Sequence, residues 1–212
     1  MKALVIGATG ATGKELVDLL LESNDYETVS IFVRRSIGRS HPKLTEHVVD
    51  FSNIDSFRDS IKGDVFFSCL GTTLKDAGSK ENQWKIDFDI PAEFASAAKQ
   101  NNVNSLVLVS SYGASAKSNV FYSMMKGKLE DHLKELRFPQ YIIFRPGPLI
   151  RANTNRFGEK ILVKSLKLFN TIGLFKNIKP ITTLFLAEKL VKAPTAISSG
   201  ITVLELDQII QL

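Results

Sequence analysis

A short apolar run, Lys2–Ile6, breaks into Gly7-Ala8-Thr9-Gly10-Ala11-Thr12-Gly13, after which Leu16, Val17, Leu20 and Leu21 recur at helical spacing. No other feature limits the possible folds so strongly. A continuous apolar run closed by glycine reads as a strand buried on both faces. Glycine at every third position lets the backbone turn tightly and approach a pyrophosphate, while the following helix offers its free N–H groups and positive end to the charge. Strand, glycine turn and helix in this order predict a dinucleotide seat. The loop is not a nucleoside-triphosphate P-loop. That pattern needs glycine where Ala8 stands and a hydroxyl where Glu15 stands, so magnesium would have no anchor.

Further short runs rich in β-branched and aromatic residues predict strands at 28–33, 47–49, 64–68, 105–109 and 141–144. Helical patterns separate them, notably over 82–100 and 120–137, with Ser118 or Asn119 as the expected N-cap of the second. Alternation of this kind, with connections long enough for crossovers, predicts an α/β fold: a doubly wound, mostly parallel sheet covered by helices on both faces. A length of 212 residues suits one domain. After Arg145-Pro146-Gly147-Pro148 the pattern changes, and the helix-like segments 157–170 and 182–192 suggest that 151–200 form most of a small C-terminal helical cap. Residues 202–206 read as a last strand at the sheet's edge.

An NAD reader carries an acidic residue about 20 positions beyond the glycines, where it holds the ribose 2′-hydroxyl. Arg34 and Arg35 occupy that place here, directly after the second strand, and guanidinium groups suit a 2′-phosphate. NADP(H) is therefore expected over NAD(H). Tyr122 and Lys126 lie four apart on a predicted helix, which stacks them on one face. An ammonium beside a phenol favours the phenolate, as an acid/base catalyst of carbonyl reduction requires. Ser110 and Ser111 end the strand 105–109, at the carboxyl edge where doubly wound sheets bind ligands, and a hydroxyl there can polarise a carbonyl.

Together, the G-x-x-G-x-x-G loop and the Ser, Tyr and Lys that follow it resemble the short-chain dehydrogenase/reductase superfamily of NAD(P)-binding Rossmann folds. The segments Cys69-Leu70-Gly71-Thr72-Thr73, Ser110-Ser111, 122–128 (YSMMKGK) and Phe144-Arg145-Pro146-Gly147 resemble its atypical, Tat-interacting-protein-like branch. The likeness covers most of residues 1–150. It implies a cofactor cradle at Gly7, Thr9, Gly10, Ala11, Thr12 and Gly13, with Arg34 and Arg35 by the adenosine phosphate and Asp50 and Phe51 by adenine. It further implies Cys69, Leu70, Gly71 and Thr72 along the ribose linkage, and Pro146 and Gly147 beside the nicotinamide. Tyr122 would donate the proton, and Lys126 would bind the nicotinamide ribose. Ser111 is the first choice of active serine and Ser110 the alternate. The expected activity is hydride transfer between NADP(H) and a small carbonyl or alcohol. A non-catalytic NADP(H)-binding regulatory or interaction protein and a nicotinamide-dependent epimerase or isomerase are the alternatives.

The net charge of +5 equals the excess within 156–179, where six cations meet only Glu159. A uniformly basic nucleic-acid binder is thereby disfavoured. Cys69 is the sole cysteine, and His41, His47 and His132 lack ligand spacing, so neither a disulfide nor a metal site is expected. With no secretory h-region and no apolar run long enough to span a bilayer, a cytoplasmic protein without membrane insertion is expected, either monomer or homodimer.

Overall fold

The computed structural model describes residues 1–151 and 180–212. In chain order the strands are β1 (Lys2–Ile6), β2 (Thr28–Val33), β3 (Leu44–Val48), β4 (Val65–Ser68), β5 (Ser105–Val109), β6 (Gln140–Arg145), β7 (Leu149–Ile150), β8 (Ile181–Thr182) and β9 (Gly200–Glu205). The helices are α1 (Ala11–Glu22), α2 (Leu74–Ala77), α3 (Lys80–Trp84), α4 (Ile90–Gln100), α5 (Phe121–Glu135), α6 (Thr183–Ala196) and α7 (Asp207–Gln211). Seven strands form one sheet in the order β3-β2-β1-β4-β5-β6-β9, every neighbouring pair parallel. β7 and β8 form a separate parallel ladder. This is a Rossmann-like α/β architecture, and the predicted last strand does join the edge, beside β6.

Alternation along the strands divides the core in two. Leu4, Ile6, Phe66, Leu106 and Leu108 face a cluster closed by Phe94, Ala95 and Ala98 of α4 and Leu129 and Leu133 of α5. Ala3, Val5, Phe67, Val107 and Ile142 face the opposite cluster, closed by Leu16 and Leu20 of α1 and Leu186 and Leu190 of α6. Each Leu, Ile, Val or Phe side chain among them contributes about 1.5–3 kcal/mol by leaving water. Both faces of the central strands β1, β4 and β5 are therefore apolar, which is why these read as unbroken hydrophobic runs rather than alternating ones.

Three local expectations are refined. The pattern over 82–100 is not one regular helix: α3 and α4 are joined by a π-helical turn, Lys85–Asp89, with Pro91 seated in the first turn of α4. At the start of α5 the cap position is Val120, without a side-chain cap, and Ser118 Oγ instead accepts the Val120 N–H at 3.1 Å. The segment 182–192, expected in the cap, belongs to α6, whose Leu186, Ala187, Leu190 and Ala193 are buried with α1 against the sheet. An apolar face of this width seeks the larger core, and the sheet supplies it. The other expected cap helix, 157–170, lies outside the described residues.

Candidate functional site

The strand order reverses between β1 and β4, and in such sheets the crevice beyond the carboxyl ends at that switch point receives the ligand. Ile6 of β1 pairs with Ser68 of β4, so the glycine loop and residues 69–72 leave the sheet side by side. Their closeness explains the first glycine. Gly7 has φ +80°, and a Cβ there would meet the Cys69 carbonyl carbon and oxygen at 2.5 Å. Gly13 answers a different need, since its Cβ would stand 2.1 Å from Gly7 O and push α1 off the strand. Gly10, at the N-cap, supplies no side-chain cap, and the first turn of α1 holds no acid. The orphan N–H groups of that turn are thus left for an anion. Thr9, Gly10 and Ala11 are exposed, while Thr12 and Gly13 are buried beneath them.

The other expected residues lie at the carboxyl ends of neighbouring strands. Arg34 and Arg35 are exposed just after β2. Asp50 follows β3 and accepts the Ser52 N–H at 2.9 Å and the Ser52 hydroxyl at 2.8 Å, which holds its carboxyl below the usual range. Phe51 is largely buried in the core, 6.1 Å from Phe57 in a T-shaped contact, so its ring serves packing first. Burial pushes the Cys69 thiol up to about 12, with Lys126 partly opposing the shift, so Cys69 is a protonated packing residue. Pro146 and Gly147 follow β6, and Pro146 O accepts the Tyr112 N–H at 3.0 Å, tying the β5 loop to the β6 loop.

Tyr122 and Lys126 occupy successive turns of α5. Tyr122 is 37% exposed and Lys126 only 2%. The ammonium lies 5.8 Å from the centre of the Tyr122 ring and 3.5 Å from Leu70 O, so one cation joins the phenol to the β4 loop. The two serines differ sharply. Ser110 is buried and its hydroxyl donates to Glu130, itself paired with Arg145, which also reaches Glu205 at 2.6 Å. Ser111 is half-buried, and among the described residues its hydroxyl donates a long 3.3 Å bond to Tyr112 O. Ser111 is the serine with a hydroxyl to spare.

Two residues escaped sequence reasoning. Glu130 fastens β5, α5 and β6 beneath the site. Asp87, in the π-helical turn, is fully buried; its Oδ1 accepts the Thr72 N–H at 2.8 Å and its Oδ2 lies 3.7 Å from Lys126 Nζ. Burial pushes its carboxyl up, against the pull of Lys126 and of the Thr72 N–H. Gln83 and Asp87 fall four apart and both are buried, but two polar residues at that spacing read from sequence as a solvated helix face. Among the described residues, no cluster of three His, Cys, Asp or Glu could hold a metal, and no helix is long and apolar enough to cross a membrane.

Residues 7–169 match the model of a family described as NAD(P)H-binding. The chain is 43% identical over 152 residues to Protein FMP52, mitochondrial, of Debaryomyces hansenii, covering 71% of this chain and 67% of that protein. It is 34% identical over 150 residues to Protein HTATIP2 of Rattus norvegicus, covering 69% of this chain and 62% of that one. Among solved structures, the Bordetella bronchiseptica enzyme WbmH in complex with NAD+ superimposes with a TM-score of 0.72 at 19% identity, over 96% of this chain and 75% of WbmH. A short-chain dehydrogenase/reductase superfamily protein from Agrobacterium tumefaciens with bound NAD gives 0.72 at 13%, over 97% and 77%. These two likenesses concern the fold. The cytoplasmic expectation is overturned by the fungal relatives, which are named as mitochondrial. A lone cysteine suits a reducing compartment but does not say which one.

Proposed function

The chain belongs to the NAD(P)H-binding family with a Rossmann fold, and on that premise we propose that it is an NADP(H)-dependent oxidoreductase acting on a small carbonyl or alcohol. The observation that carries the proposal is the position of Lys126: buried, 3.5 Å from Leu70 O in the β4 loop, and 5.8 Å from the ring of an exposed Tyr122. A cation held between a cofactor crevice and a phenol is the arrangement that acid/base-assisted hydride transfer needs.

The residues fit the cofactor. Gly7 leaves backbone space where any Cβ would strike Cys69, and α1 opens without a side-chain cap or a first-turn acid, so its N-terminal N–H groups suit a pyrophosphate. Arg34 and Arg35 suit a 2′-phosphate by charge and by bidentate geometry. When bound, the nicotinamide supplies or accepts the hydride. Lys126 binds its ribose and keeps positive charge beside the phenol. Tyr122 gives its hydroxyl proton to the carbonyl oxygen as that oxygen gains charge, and takes a proton back in the reverse direction. Ser111 donates a hydrogen bond to the same oxygen and thereby fixes the carbonyl's orientation.

The decisive experiment pairs binding with turnover over a panel of aldehydes, ketones and quinones. Wild-type protein should bind NADPH more tightly than NADH, and Tyr122→Phe should lose turnover by at least about 100-fold with NADPH affinity nearly unchanged. Undiminished reduction by Tyr122→Phe would remove Tyr122 from the mechanism. A preference for NADH would remove the arginines from recognition, and tight NADPH binding without turnover on any panel member would favour an interaction protein.

A further inference from the structure

The stretch between β2 and β3 carries Arg34, Arg35, Arg39, His41 and Lys43, and its cations are not equivalent. Arg39 pairs with Asp18 of α1, and Lys43 Nζ donates to Ser23 O at the end of the same helix at 2.7 Å. Arg34 and Arg35 pair with no acid among the described residues, and both are exposed where the chain bends away from β2. Side chains shape that bend. Glu46 of β3 accepts the Ile37 N–H on Oε2 at 2.9 Å, the Ser36 hydroxyl bonds to the same carboxylate, and the two donors hold it below the usual carboxylate range. Ser36 Oγ in turn accepts the Gly38 N–H at 3.1 Å, and Gly38 takes φ +63°. The register shows the effect on the chain. Glu46 pairs with Ile31, inside β2. At about 3.3 Å per residue, a chain running straight on would carry Ile37 about 20 Å beyond Ile31, far outside a carboxylate's reach. The bond to Glu46 therefore folds the chain back, and Arg34 and Arg35 stand at the fold.

We propose that Glu46 is a positioning residue for cofactor choice: by holding Ser36 and Ile37 it keeps the Arg34–Arg35 bend formed before the ligand arrives, so that two guanidinium groups meet a 2′-phosphate without first being ordered. This rests on the NADP(H) reading above. Binding costs less when the recognising groups are already in place. By charge alone a carboxylate beside the arginines would repel the 2′-phosphate, so positioning and repulsion predict effects of opposite sign. A residue that served only the stability of the β3 edge would affect NADPH and NADH alike.

The test is a set of equilibrium titrations of the full chain with NADPH and, separately, with NADH, read by nucleotide fluorescence. Glu46→Ala should weaken NADPH by about tenfold and NADH by less than about twofold. Glu46→Gln, which keeps an acceptor for the Ile37 N–H without the charge, should recover NADPH affinity to within about threefold of wild type. In an Arg34→Ala, Arg35→Ala background, Glu46→Ala should cost NADPH binding less than about twofold, because the groups through which Glu46 acts are already gone. NADPH affinity equal to or tighter than wild type in Glu46→Ala, equal losses for both nucleotides, no recovery in Glu46→Gln, or an undiminished loss in the arginine variant would each overturn the proposal. Should Glu46→Ala fail to fold, Ser36→Ala, which removes one of the two donors from an exposed loop, must show an NADPH-selective loss of at least about threefold; an unselective loss or none overturns it. Wild-type protein that binds NADH as tightly as NADPH would sink the 2′-phosphate reading and this proposal together. An NADPH preference that vanishes in the arginine variant yet persists undiminished in Glu46→Ala would sink only the role of Glu46.

Discussion

Replacing Gly13 by alanine isolates the contact on which the cofactor seat is built. The added Cβ would stand 2.1 Å from Gly7 O, 2.8 Å from Gly7 C and 3.1 Å from Ala8 Cα, where ordinary contact begins near 3.4 Å. All three are backbone atoms of the β1–α1 turn, so no side-chain rotation relieves the overlap. Relief requires α1 to withdraw by more than an ångström. That helix is held by Leu16, Val17, Leu20 and Leu21, each at most 3% exposed, against β-sheet residues and α6. Loosening about half of that packing would cost about 3–5 kcal/mol, comparable with a large-to-small core substitution and about a fifth or more of an ordinary domain's stability. Urea unfolding followed by circular dichroism reads the loss directly, with an unchanged slope marking a stability effect rather than an altered unfolded state. NADPH titration at low urea should show affinity lost as well, since the withdrawn N-terminus no longer meets a pyrophosphate. A Gly13→Ala protein within about 0.5 kcal/mol of wild type would refute the close-packing argument.

The two serines should separate cleanly: Ser110→Ala is expected to lose about 1–3 kcal/mol of stability, because Glu130 forfeits a buried donor, with turnover within a few-fold of wild type. Ser111→Ala should leave the unfolding midpoint in place and lower turnover by about 10–100-fold, as measured by NADPH oxidation with the best carbonyl substrate. His47 stacks on Phe32 at 4.6 Å, and burial holds its imidazole below its ordinary value of 6.5. The unfolded chain therefore takes up this proton first, so stability falls as pH drops from about 6.5 through the folded value. His47→Phe should flatten that part of the pH dependence of the urea midpoint, and an equally steep fall in the variant would contradict the assignment.

Much of the sheet was legible because a parallel strand covered on both faces must be apolar throughout; Val5, Phe67 and Val107 needed no partner to be recognised as core. The glycine loop was legible for a similar reason, since no other residue tolerates the contacts at Gly7 and Gly13. What depends on neighbours distant in sequence was not legible. Ser110 and Ser111 are indistinguishable as letters, and only the approach of Glu130, 20 residues on, assigns Ser110 to the interior. Asp87 looked like a solvated position on a helix because the π-helical turn that brings it to Lys126 has no composition of its own. The segment 182–192 carried an apolar stripe whose partner could be either a pocket or a sheet, and periodicity cannot distinguish the two.

The ladder between β7 and β8 has a bearing on how such a chain tolerates changes of length. Leu149 pairs with Ile181 and Ile150 with Thr182, so the position just beyond β6 and the start of α6 are held side by side by backbone bonds. A segment of different length or composition exchanged between these two points would meet the same frame, because the entropy of bringing its ends together is already met by the ladder and grows only slowly with length. A change of length between the two ladder strands should therefore leave the seven-stranded sheet and its glycine turn as they are.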